Sequence, residues 1–145
     1  MPGWIRSISQ LEGSRLVQKI GKIVVVIGFA LMAAGSLQVW LDNPPFSQNG
    51  IDRSAGLVCL VVAIGAGAFA ALDRRARGML IATSAGAIAL ILALVDYADI
   101  SGTSGAEVGS GLVLTIAGAA IATVASGAVA FALFKKPAAA PVKNV

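Results

Sequence analysis

Between Glu107 and Lys135 the chain carries no charged side chain. The stretch 109–134, GSGLVLTIAGAAIATVASGAVAFALF, can therefore cross the hydrocarbon core of a bilayer as a helix, which takes about 20 apolar residues. Small side chains form two neighbouring rows along it. Gly111, Thr115, Ala119, Thr123 and Gly127 recur at every fourth position, as do Gly118, Ala122, Ser126 and Ala130. Such a face lets another helix backbone come close, which is how helices associate in lipid. It is broader than one neighbour can cover, so two helices or another protein chain are expected against it.

Three more stretches read the same way. Residues 23–41 lie between Lys22 and Asp42, and 54–72 run uncharged up to Asp73. Residues 78–97 reach an outer end marked by Asp96 and Tyr97. The second span has a small row at Ala63, Gly67 and Ala71, and the third at Ala85, Ala89 and Ala93. Hydroxyls such as Thr83 and Ser84 are expected to bond back to a carbonyl one turn earlier. Gln38, the strongly polar side chain of the first span, would reach interfacial water or line a polar pocket with Thr83 and Ser84. Trp40 fits an aromatic belt at the membrane interface.

Only 12% of the 145 residues are charged and 57% are hydrophobic, against about 25% charged in soluble domains. The expected fold is an all-α integral membrane protein, an antiparallel four-helix transmembrane bundle occupying 23–134. Residues 1–22 precede it as a basic segment. Trp4, Ile8 and Leu11 share a side at helical spacing, and Gly13-Ser14 is expected to interrupt any helix there. A Pro/Ala-rich basic tail, 135–145, is expected to be disordered. The sequence predicts loops at Asp42–Arg53, where Asn43-Pro44-Pro45 and Asn49-Gly50 are turn signals, and at Ile100–Val108. The turn 73–77 is short enough to join antiparallel spans.

Charge gives the orientation. With the N-terminus inside, ten of the eleven basic residues face the cytoplasm: Arg6, Arg15, Lys19, Lys22, Arg74, Arg75, Arg77, Lys135, Lys136 and Lys143. Arg53 alone is outside. The positive-inside rule counts these short flanks, so both termini are expected inside a bacterial inner membrane. The formal net charge of +4 then reports orientation, and nucleic acid is not needed as a partner.

The chemistry on offer is sparse. The chain has no histidine and one cysteine, Cys59, so the commonest general base and metal ligand is absent, as is any CxxC pair. No cofactor, metal or catalytic residue is expected. Asp96 and Asp99 are spaced to share a helical face, but at a helix end they are expected to be solvated, as is Glu107. No span holds the embedded ionisable residue that ion-coupled transport requires. The expected role is a non-catalytic accessory or scaffold subunit that meets other membrane subunits or itself. The alternative is a small oligomeric channel or passive transporter, with Thr83, Ser84, Thr115, Thr123 and Ser126 as its only candidate polar stripe.

Overall fold

The structure is a computed structural model, described over residues 3–43, 46–73 and 75–134, with side chains from Leu16 onward except those of residues 17 and 43. The expected N-terminal apolar face, Pro44-Pro45, Arg74 and the tail 135–145 lie outside what is described. The chain is mostly helical, with α1 (Gly3–Ser36), α2 (Ser54–Leu72), α3 (Ala76–Ser101) and α4 (Ser110–Phe134). All four are long and apolar enough to cross a membrane, the pattern of a multi-pass membrane protein. The qualifying part of α1 is Gln18–Ser36. Its backbone is helical through Gly13-Ser14, where the sequence predicts a break.

The helices form a ring of neighbours. α1 packs on α2 and α4, and α3 packs on α2 and α4. The tightest seam, between α1 and α4, is made of glycine. Gly35 faces Gly111 and Thr115, Gly28 faces Gly118 and Ala122, and Gly21 meets Val129, so these two helices run in opposite directions. Gly21, Gly28 and Gly35 are seven residues apart, close to two helical turns, and so lie in one stripe. Lipid gives no hydrophobic drive for helices to associate, and close van der Waals contact takes its place.

Size sorts the side chains accordingly. Ala63, Ala66, Ala70, Ala82, Ala89, Ala93, Ala119, Ala122 and Ala130 are buried, with Val25, Phe29, Met32, Met79 and Leu112 as the larger core residues. Val61, Ile64, Ile88, Ile91, Val124 and Phe131 are each more than half exposed. Bulky chains thus point outward, where lipid tails accept them, and small ones inward, where backbones must meet.

The first span differs from its sequence reading at its C-terminal end. α1 stops at Ser36, and residues up to Leu41 that were expected to be helical enter a strand. β1 (Val39–Asn43) pairs antiparallel with β2 (Phe46–Asn49) on one side and with β3 (Glu107–Val108) on the other. A 3-10 turn, Gly50–Asp52, leads into α2. The expected loop Asp42–Arg53 is therefore a hairpin and turn. The expected loop Ile100–Val108 is shortened at both ends, by α3 and by β3.

Candidate functional site

The cap formed by these three strands is the most elaborate non-helical part of the molecule, and a single tryptophan roots it. Val39 pairs with Asn49 and Leu41 with Gln48, so β1 carries one extra residue, Trp40, between those pairs. A bulge of this kind re-aims a side chain. The Trp40 ring is fully buried, and its Nε1–H donates to the Gly35 carbonyl oxygen at 3.0 Å. That carbonyl belongs to the last turn of α1 and also accepts the Gln38 backbone N–H at 3.1 Å, so the indole is its second donor. Trp40, expected to fit an aromatic belt, is buried within the chain against the end of α1.

Glycines let the cap close on the helix ends. A Cβ on Gly50 would strike the Ser36 carbonyl and the Trp40 indole, and one on Gly109 would strike the Val39 carbonyl. The backbone closes over the same places: the Gly50 N–H donates to the Gln38 carbonyl and the Gly109 N–H to the Trp40 carbonyl, both at 2.9 Å. Gln38 itself, just beyond the C-terminal end of α1, has an exposed side chain.

An ion pair completes the tie. Arg53 Nε lies 3.0 Å from Asp96 Oδ2, and Nη2 lies 3.1 Å from Asp99 Oδ2. The Asp96 side chain is only 16% exposed, against 69% for Asp99. This corrects the expectation that both acids are simply solvated: Asp96 is clamped. Burial alone would lower the Arg53 pKa, but bonding and attraction to Asp96 and then Asp99 outweigh it and raise the value further. Arg53, the lone outer cation of the sequence, joins the start of α2 to the end of α3. The cap's far side is open. All four residues of β2 are exposed, Phe46 is 75% exposed, and among the described residues β2 has a strand on one side only.

The residues expected to form packing faces fall as follows. On α4, Gly111, Thr115, Gly118, Ala119, Ala122, Ser126 and Ala130 are buried, with Thr123 and Gly127 half-buried. α1 and α3 cover this surface from the same chain: a Cβ on Gly86 of α3 would stand 2.6 Å from Thr123 Oγ1. On α2, Ala63 and Gly67 are buried, Gly67 against the Phe29 ring, while Ala71 is exposed. On α3, Ala89 and Ala93 are buried and Ala85 half-buried.

The hydroxyls form no continuous stripe. Thr115 and Thr123 donate to the carbonyls of Gly111 and Ala119 in their own helix, at 2.9 and 2.7 Å. Thr83 Oγ1 lies 2.8 Å from the Met79 carbonyl oxygen and 2.9 Å from Ser126 Oγ. Ser126 in turn lies 2.6 Å from the Ala122 carbonyl oxygen. With the Ser126 proton on that carbonyl, Thr83 can donate to Ser126 and link α3 to α4. Ser84 is exposed and faces away from this pair. Cys59 is buried with its thiol 3.7 Å from the Ala89 carbonyl oxygen. Among the described residues no group of three acidic or cysteine side chains is placed to hold a metal.

In comparisons with known proteins, the chain matches no family model, no curated protein and no solved structure.

Proposed function

We propose that the protein is a non-catalytic accessory or scaffold subunit of a bacterial inner-membrane assembly, built as an antiparallel four-helix transmembrane bundle with both termini cytoplasmic. The observation that carries this reading is the outer cap. It is pinned to three helices by Trp40, Gly50, Gly109 and Arg53, yet it leaves Phe46 and the free edge of β2 uncovered. An open strand edge is a template for another chain, with backbone bonds giving affinity and alternate side chains giving selectivity. The broad small-residue face of α4, against which the sequence calls for two helices or another protein chain, adds no support to the reading, because α1 and α3 of the same chain lie against it. Orientation is supported by charge. Lys22 reaches the α2–α3 turn, so Lys19, Lys22, Arg75 and Arg77 gather at one end and the cap lies at the other. Under the positive-inside rule the cap is then extracytoplasmic.

A channel or passive transporter is the second reading. It draws little support from hydroxyls bonded to their own helices or to each other, with Ser84 facing outward and Gln38 at the rim. The two readings separate in cells. A photo-crosslinking amino acid at Phe46 should give one discrete protein adduct, and the same group at the outward-facing Val124 should not. If Phe46 gives no protein adduct while the purified chain makes liposomes permeable to a small solute, the accessory reading fails and the channel reading replaces it.

A further inference from the structure

We propose that the groove between α1 and α2 at the basic end of the molecule binds an anionic phospholipid, one acyl chain in the groove and the phosphate at Lys19, Lys22 and Arg75. The proposal rests on the chain lying in a membrane and not on which way round it lies, nor on the outer cap. The groove is shallow and open, about 270 Å³ in volume, and is walled by Ile23, Val26 and Ile27 of α1 and Ala71 of α2, with Lys22 at its mouth. Ala71 is the small residue of the α2 row that is exposed, while Ala63 and Gly67 are buried, and a larger side chain there would fill the groove.

Lys22 stands at the mouth where a headgroup would be, and Lys19 and Arg75 are the neighbouring cations on α1 and in the α2–α3 turn. Lys19 precedes Ile23 by one turn and Val26 by two, so it shares their helical face, and its side chain is exposed. The Lys22 ammonium donates to the Asp73 carbonyl oxygen at 3.0 Å, which brings the end of α2 to the mouth of the groove. Two residues on, Arg75 is exposed. Asp73 is the opposing charge, and its carboxylate accepts the Arg75 backbone N–H at 2.9 Å and lies against Gly78. Among these described side chains, three cations stand against one engaged acid, which favours an anion. Basic groups at a membrane surface favour anionic headgroups by about 1 kcal/mol each, while their aliphatic stems lie along apolar surface. A second groove, about 220 Å³ between α1 and α4, is walled by Gln18, Gly21, Val24, Ala125, Ala128, Val129 and Ala132. It is apolar without a lining cation, and so serves as the internal comparison.

The test uses the full chain in mild detergent, with lipid binding read by native mass spectrometry and by the thermal midpoint. Phosphatidylglycerol should bind and raise the midpoint more than phosphatidylcholine of the same acyl chains, and high salt should narrow the difference. Lys19→Gln with Arg75→Gln, both at exposed positions, should weaken phosphatidylglycerol binding roughly thirty-fold without moving the lipid-free midpoint. Ala71→Leu, which fills the groove and keeps every charge, should also weaken it, and Ala128→Leu in the second groove should not. Equal binding of the two lipids, or no loss in the double variant, overturns the proposal. So does an equal effect of glycerol phosphate or inorganic phosphate, which would make this a phosphate site with no part for the acyl groove.

Discussion

Gly28 and Gly118 face each other across the α1–α4 seam with no room for a side chain on either. A Cβ on Gly118 would stand 2.6 Å from the Gly28 carbonyl oxygen and 2.5 Å from the Met32 amide nitrogen, and one on Gly28 would stand 2.9 Å from the Gly118 carbonyl oxygen. These obstacles are backbone, so no rotamer can move aside. Gly28→Ala or Gly118→Ala should cost about 1–3 kcal/mol through forced separation of the helices, despite the helix preference of alanine. Gly65→Ala on α2, where a Cβ meets nothing within 4 Å, should leave the thermal midpoint in detergent unchanged or raised.

Ala119 and Ala122 extend the same argument. Both are fully buried within the chain, and the Ala122 amide nitrogen is 2.6 Å from a Cβ placed on Gly28. Ala119→Leu or Ala122→Leu should therefore lower the melting point of the single chain, and any oligomer should keep its stoichiometry. Leu114→Ile, at a half-buried position off the small rows, is the control. An alanine variant that melted like wild type but changed its oligomeric state would mean that α4 meets a second chain after all.

Helices were legible because their cause is local. The uncharged run 54–72 and α2 have the same limits, since a charge at a membrane helix end is visible one residue at a time. The cap was not legible, because its causes are distant. Leu41 pairs with Val108 and Arg53 with Asp96, in each case across dozens of intervening residues. Val39-Trp40-Leu41 did carry a signal, being a run of strand-favouring types, but placed at the end of an apolar span it read as more helix. The glycines of α1 were readable too. Their spacing of seven escapes a search for every fourth residue, although both patterns mark a stripe on one helix face.

The Arg53 clamp makes the two acids unequal. Asp96→Asn removes the partner of a half-buried guanidinium from a carboxylate that is itself mostly buried, and should cost about 1–2 kcal/mol. Asp99→Asn alters a largely exposed pair and should cost less than about 1 kcal/mol. Glu107, exposed on β3, should tolerate Gln without effect. A double-mutant cycle of Arg53→Gln with Asp96→Asn, read by thermal unfolding in detergent, should show coupling that the cycle with Asp99→Asn largely lacks.

The Thr83–Ser126 contact should be modest. Hydrogen bonds between membrane helices average about 0.6 kcal/mol in double-mutant cycles. Thr83→Val combined with Ser126→Ala should give coupling of that order. Ser84→Ala, one residue away but facing outward, should show none with Ser126→Ala. Coupling several-fold larger would mean that the pair holds something more than two helices together.

Labelling from outside intact cells tests the orientation and the cap together. Ser47 lies on the exposed β2 strand and Ser104 in the exposed turn after α3, so Ser47→Cys and Ser104→Cys should both react with an impermeant thiol reagent. Cys59 is the chain's own cysteine, fully buried with its thiol near the Ala89 carbonyl, so wild type should stay silent and serve as the blank. Lys19→Cys, exposed at the opposite end, should label only after the membrane is opened. If Lys19→Cys labels first and Ser47→Cys waits, the bundle lies the other way round, and the cap can meet only cytoplasmic partners. If Ser47→Cys and Lys19→Cys both label from outside, the chain between them does not cross the membrane an odd number of times, and α1 is not a span.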